Sequence, residues 1–214
     1  MNQAADLEFI ENTTYDELSI GQAATLTRTL TLDDIRAFAA VSGDTNPAHL
    51  DPAYANQTLF HGVIGHGMWG GSLISAVLGT QFPGPGTIYL HQDLDFTKPV
   101  RIGDTLHVTV TVSAKDDLKK RVELQCEVRN QHDEIVLRGL ARVMAPVNKV
   151  RRPKIAAPQI RLFDPVERLN TLLAMADYLP ALRCAVVHPC DAESLLGALD
   201  AAKRHLIVPV LVGP

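Results

Sequence analysis

The sequence predicts an α+β fold in which an antiparallel sheet wraps one long central helix, with an incomplete α/β segment behind it. Three observations predict it. Residues 68–81 are apolar nearly all round, with Trp69, Leu73, Ile74, Val77 and Leu78 spaced among small residues, as in a helix buried on most sides. Four later stretches, 87–96, 105–113, 120–129 and 134–144, carry strand signals; the middle pair alternate cleanly, with Leu106, Val108, Val110 and Val112 on one face and Val122, Leu124, Cys126 and Val128 on the partner's. After Met144 the composition shifts to a basic run punctuated by proline, and then to two apolar stretches that bracket a helical pattern.

Residues 24–31 alternate, Leu26, Arg28 and Leu30 against Thr25, Thr27 and Thr29, which suits an opening strand rich in β-branched threonine. Thr31 with Asp34 forms a capping box with Asp in place of Glu, and Ile35, Phe38, Ala39 and Ser42 mark one face of the helix that follows. Gly43 supplies its left-handed stop, so Asp44 is aimed by the end of a packed helix. Asp51-Pro52 and nearby alanines predict a short second helix within 50–60. Phe82-Pro83-Gly84-Pro85-Gly86 ends the central helix sharply. Turns at Lys115-Asp116-Asp117 and at 130–133 make the last three strands an antiparallel meander, within a sheet of about five strands. An exposed edge of such a sheet favours pairing two copies as a homodimer.

Residues 147–164, with Lys149, Arg151, Arg152, Pro153, Lys154 and Pro158, read as a basic linker without periodicity. Beyond it a helix over 166–178, strands at 185–187 and 207–212, and a helix over 192–203 read as the start of a parallel α/β domain. Two parallel strands and one covering helix do not close a core, so this tail is expected to be poorly ordered unless a partner surface covers it.

A chain of 214 residues holds one well-filled domain and something more, and its net charge of -4 gives no bulk attraction to nucleic acid or to an anionic membrane. Three cysteines at irregular spacing argue against a disulfide framework and a zinc ribbon. The start lacks a basic head followed by an apolar stretch, and no segment is apolar for long enough to span a bilayer, so a cytoplasmic location is expected. Asn12 and Asn56 match a glycosylation triplet by chance.

The reactive side chains gather between Asp44 and Met68. Asp44 offers a carboxylate, Asn46-Pro47 a rigid corner and His49 an imidazole that the turn brings back toward the carboxylate, which makes an acid/base pair. Gly67 then opens the central helix, where unpaired backbone N–H groups can hold an oxygen that gains negative charge. A metal site from Asp44, His49, His61 and His66 matches no ligand spacing of a known helical arrangement, so no metal is expected. His66 alone reads as a structural hydrogen-bonding residue, and His188 and Cys190 carry no site.

Asp44-x-Asn46-Pro47-x-His49, followed by Phe60, His66-Gly67-Met68, Thr87-Ile88-Tyr89-Leu90 and Phe96-Thr97-Lys98-Pro99-Val100, resembles the MaoC-like (R)-specific enoyl-CoA hydratases of the hot-dog fold, over residues 15–146. The resemblance implies a hydratase domain at 1–146 that converts trans-2-enoyl-CoA to (R)-3-hydroxyacyl-CoA without a metal or organic cofactor. It implies catalytic roles for Asp44 and His49, an oxyanion hole at Gly67, and supporting roles for Asn46, which fixes the turn, Ser75, which hydrogen-bonds from below, and His66. The tail, 165–214, is similar to the opening of the phosphate acetyl/butyryltransferases, and no transferase activity is expected of it. A non-catalytic acyl-CoA binding module and a hot-dog thioesterase are the competing readings.

Overall fold

A computed structural model describes residues 8–158 and 165–213, with side chains described from 168 in the second stretch. The chain divides into two compact units, 1–160 and 161–214. In the first, strand β1 (Phe9–Glu11) and a single 3₁₀ turn (Tyr15–Glu17) precede β2 (Ala23–Thr29) and helix α1 (Leu32–Ser42). Two short helices, α2 (Pro47–Leu50) and α3 (Pro52–Gln57), lead to the central helix α4 (Gly67–Thr80). Strands β3 (Ile88–Gln92), β4 (Asp95–Phe96), β5 (Thr105–Asp116), β6 (Arg121–Arg129), β7 (Ile135–Met144) and β8 (Arg151–Pro153) complete it.

The main sheet runs β2-β5-β6-β7-β3, with β4 also on β7, and every pairing is antiparallel. Six strands replace the expected five because residues 87–96 break into two. Asp93 turns away at the break, taking Leu140 as both donor and acceptor, and the missing side chain of Gly139 makes room: a Cβ there would stand 1.9 Å from the Asp93 carbonyl oxygen.

Register converts the alternation of β5 and β6 into one apolar surface. Val108 pairs with Val128, Val110 with Cys126 and Val112 with Leu124, so all six point the same way. Helix α4 lays Trp69, Leu73, Ile74, Val77 and Leu78 on that surface, and the sheet curves round it in the hot-dog arrangement. Each such side chain taken out of water contributes about 1.5–3 kcal/mol.

Helix α1 shows the capping predicted for it. The Asp34 amide donates to Thr31 Oγ1 at 3.1 Å, the Thr31 amide donates to Asp34 Oδ2 at 2.9 Å, and Gly43 closes the helix at φ 76°.

The segment read as a linker is in part structure. Arg151–Pro153 pairs antiparallel with Phe9–Glu11, and buried Asn12 donates to the Pro85 and Asn148 carbonyls while accepting from the Val150 amide. These contacts join segments far apart in sequence, which periodicity within 147–164 does not reveal; positions 159–164 of that linker lie outside the described residues. With its side-chain amide so engaged, Asn12 is a fastening point and no glycan acceptor.

The second unit contains α5 (Pro165–Ala176), β9 (Leu182–Val187), α6 (Ala192–Lys203) and β10 (Ile207–Val212), with β9 and β10 parallel. Leu182, Val187, Leu196 and Leu211 are exposed within it. Among the described residues no helix is long and apolar enough to cross a membrane.

Candidate active site

Asp44 follows the left-handed Gly43 directly, and its Oδ1 accepts the Asn46 amide at 3.2 Å. Asn46 in turn caps α2: its Oδ1 accepts the Ala48 amide at 3.0 Å, and Pro47 fills the first helical position. One turn of helix therefore separates carboxylate from imidazole and folds the second back toward the first.

His49 is buried, with Nδ1 2.8 Å from the Ile64 carbonyl oxygen. A carbonyl only accepts, so Nδ1 carries the proton and Nε2 is left with a lone pair. The segment that supplies this carbonyl is itself pinned. Gly65 donates to the Val100 carbonyl at 2.7 Å, and Ile64 bridges to Arg101.

His66, also buried, donates from Nε2 to the Asp44 carbonyl at 3.0 Å, and its ring lies on that of His49 with centroids 3.9 Å apart. It touches both members of the pair, a closer part than spacing alone assigned to it. Donor atoms of Asp44, His49 and His66 fall within 4.8 Å of one another. Two imidazoles and a carboxylate are a donor set that a metal ion accepts; with His49 Nδ1 and His66 Nε2 engaged by carbonyls, the nitrogens left to the cluster are His49 Nε2 and His66 Nδ1, the latter buried without a partner. His61 stands apart, exposed and at φ 51°.

Gly67 is the first residue of α4, and its preceding residue, His66, makes no side-chain capping bond. The amides of a helix's first turn have no acceptor within the helix, so the positive end of α4 is presented beside His49. From there a cavity of about 300 Å³ runs between α4 and the sheet, walled by Phe60, Gly70, Leu106, Val128, Val136 and Leu137. His49, His66 and Gly67 stand on its wall. Its other side is the stretch 96–100, whose lining role the sequence did not reveal, although its motif was legible.

Ser75 is exposed and, like Asp44 and Asn46, is not part of the cavity wall. Helix α4 turns Leu73, Ile74, Val77 and Leu78 toward the sheet, so Ser72, Ser75 and Gly79 fall on the open side.

A helix wrapped by an antiparallel sheet, with two imidazoles and a helix start on the wall of an apolar cavity and a carboxylate close to both rings, is the hot-dog architecture carrying groups able to move protons. The model of the MaoC like domain matches residues 17–134, more than half of the chain, and the chain belongs to that family. An (R)-specific enoyl-CoA hydratase of Rhodospirillum rubrum is 46% identical over 134 residues, covering 62% of this chain and 91% of that protein. The unliganded R-hydratase PhaJ1 from Pseudomonas aeruginosa superposes with a TM-score of 0.70 at 46% identity, covering 73% of this chain and all of that one. A phosphate acetyltransferase of Rickettsia typhi is 58% identical over 43 residues, 20% of this chain and only 12% of that protein.

Proposed function

We propose that the chain reversibly hydrates trans-2-enoyl-CoA to (R)-3-hydroxyacyl-CoA, with Asp44 and His49 as the acid/base pair and the Gly67 amide as the oxyanion donor. The observation that carries this reading is the gathering of Asp44, His49 and His66, with side-chain atoms within 4.8 Å of one another, where His49 and the uncapped helix start at Gly67 both stand on the cavity wall. The names of the similar proteins support the same chemistry.

A water held between Asp44 and His49 Nε2 is the nucleophile. Asp44 takes one of its protons as the oxygen bonds to C3, while His49 holds the second. The π electrons of C2=C3 pass through C1 to the thioester oxygen, giving an enolate. The Gly67 N–H donates to that oxygen, an interaction worth about 3–4 kcal/mol for one well-placed donor. Asp44 returns its proton to C2 on the same face, so one water has added across the double bond and both residues are restored. The acyl chain lies in the apolar cavity, which excludes competing water. Asn46 and His66 hold the pair in place through the Asp44 carboxylate and carbonyl.

We also infer a homodimer joined through β3, an edge strand whose Ile88, Tyr89 and Leu90 are exposed. Sedimentation of Leu90→Lys as a monomer against a wild-type dimer tests it.

The activity test is loss of the conjugated enoyl absorbance of trans-2-butenoyl-CoA, with chiral analysis of the product. Asp44→Asn and His49→Ala are each expected to lower kcat by roughly 10²–10⁴-fold with the unfolding midpoint little changed. Near wild-type turnover in either variant overturns the assignment. Release of free CoA thiol marks a thioesterase, and tight acyl-CoA binding without turnover marks a binding module.

A further inference from the structure

The structure assigns to Gly70 the control of acyl-chain length, and with it a preference that extends beyond four-carbon to medium straight-chain enoyl groups; this rests on the hydratase reading above. Glycine inside a helix weakens it relative to alanine, so a buried helical glycine calls for a reason. Two of the three buried or cavity-lining glycines at the start of α4 have one in packing. A Cβ on Gly67 would stand 3.0 Å from Phe96 Cε1, and one on Gly71 would stand 3.1 Å from Leu94 Cδ1. Gly70 differs. A Cβ there would meet only Leu137 Cδ1, at 3.8 Å, an ordinary contact. Its φ also lies outside the left-handed region that favours glycine. Neither backbone nor packing demands a glycine at 70, and the space its side chain would enter is the cavity.

Position along the helix sets the length at which this space matters. Gly70 lies three residues beyond Gly67, about 4.5 Å along the axis. With the thioester oxygen on the Gly67 amide, that distance is roughly three to four carbon–carbon steps. A four-carbon chain therefore ends about level with Gly70, and a longer one must pass beneath it. The cavity of about 300 Å³ holds roughly ten atoms of the size of a water or a methylene. Once the thioester and the reacting water are seated, that leaves room for an acyl chain of about six to eight carbons.

The experiment compares kcat/KM for trans-2-butenoyl-, hexenoyl- and octenoyl-CoA in the wild type, Gly70→Ala and Gly70→Val, with the thermal midpoint of each. The wild type is expected to hydrate all three. The octenoyl to butenoyl ratio is expected to fall by about 10-fold or more in Gly70→Val, and by less in Gly70→Ala, in line with the discrimination a methylene provides in an apolar pocket. Gly70→Ala is expected to keep or raise the midpoint. An unchanged ratio overturns the role of Gly70, as does a lowered midpoint in Gly70→Ala with equal loss on every substrate. A wild type active on butenoyl-CoA alone overturns the medium-chain preference. A wild type that hydrates none of the three overturns the hydratase reading as well, which separates the two failures.

Discussion

Strands β5 to β7 and strands β9 to β10 are written with much the same valines and leucines, yet they end in opposite environments. Val108, Val110 and Leu124 are fully buried, whereas Leu182, Val187 and Leu211 are each more than half exposed. The difference lies in what covers them. In the first unit α4 presents a wide apolar face and the sheet curves over it; in the second, α6 has no buried residue and leaves Leu196 and Leu199 in the open. Alternating apolar residues are enough to make a strand, but burial needs a second layer of matching size.

The largest expected contrast is in stability. Leu124→Ala empties a fully buried site and is expected to cost about 2–5 kcal/mol in urea unfolding of the first unit. Leu196→Ala, already half in water, is expected to stay within about 0.5 kcal/mol. Equal costs would break the comparison.

Thiol chemistry sharpens it further. Cys126 is buried in β6, and burial pushes its thiol up to about 11, while Cys184 and Cys190 are exposed. Labelling of the native chain at neutral pH is expected to modify two thiols promptly and the third only after denaturant. Prompt modification of all three would mean that the sheet opens readily.

The smallest effect is one of pH. Burial, with the hydrogen bond to Asp117 adding to it, pushes the Tyr15 hydroxyl up to about 12. Because the folded state raises this value above 10, Tyr15 supports the fold fully below pH 10 and loses that support as pH rises through about 12. The unfolding midpoint of the first unit should fall over that window, and Tyr15→Phe should flatten the decline.

Where neighbours in sequence decide the outcome, the fold could be read in advance. The Thr31–Asp34 box, the Gly43 stop and the facing residues of β5 and β6 needed only local chemistry and period. What escaped depends on distant partners. The split of β3 from β4 follows from Gly139 meeting Asp93, and the pairing of β1 with β8 joins opposite ends of the unit. In the site the same division holds. Asp44, Asn46 and His49 come together through one short turn, whereas the stacking of His66 on His49 and the wall at 96–100 require the whole sheet to close. The side of α4 that Ser75 occupies is settled by packing against the sheet, and no local signal at 75 records that.

Both imidazoles lean on main-chain oxygens, His49 on that of Ile64 and His66 on that of Asp44. A peptide oxygen belongs to every amino acid, so no replacement at position 64 deletes it. The side chain there answers only to the cavity it lines, while the carbonyl keeps the ring's proton on the same nitrogen. Only a change in the path of the main chain could turn that ring.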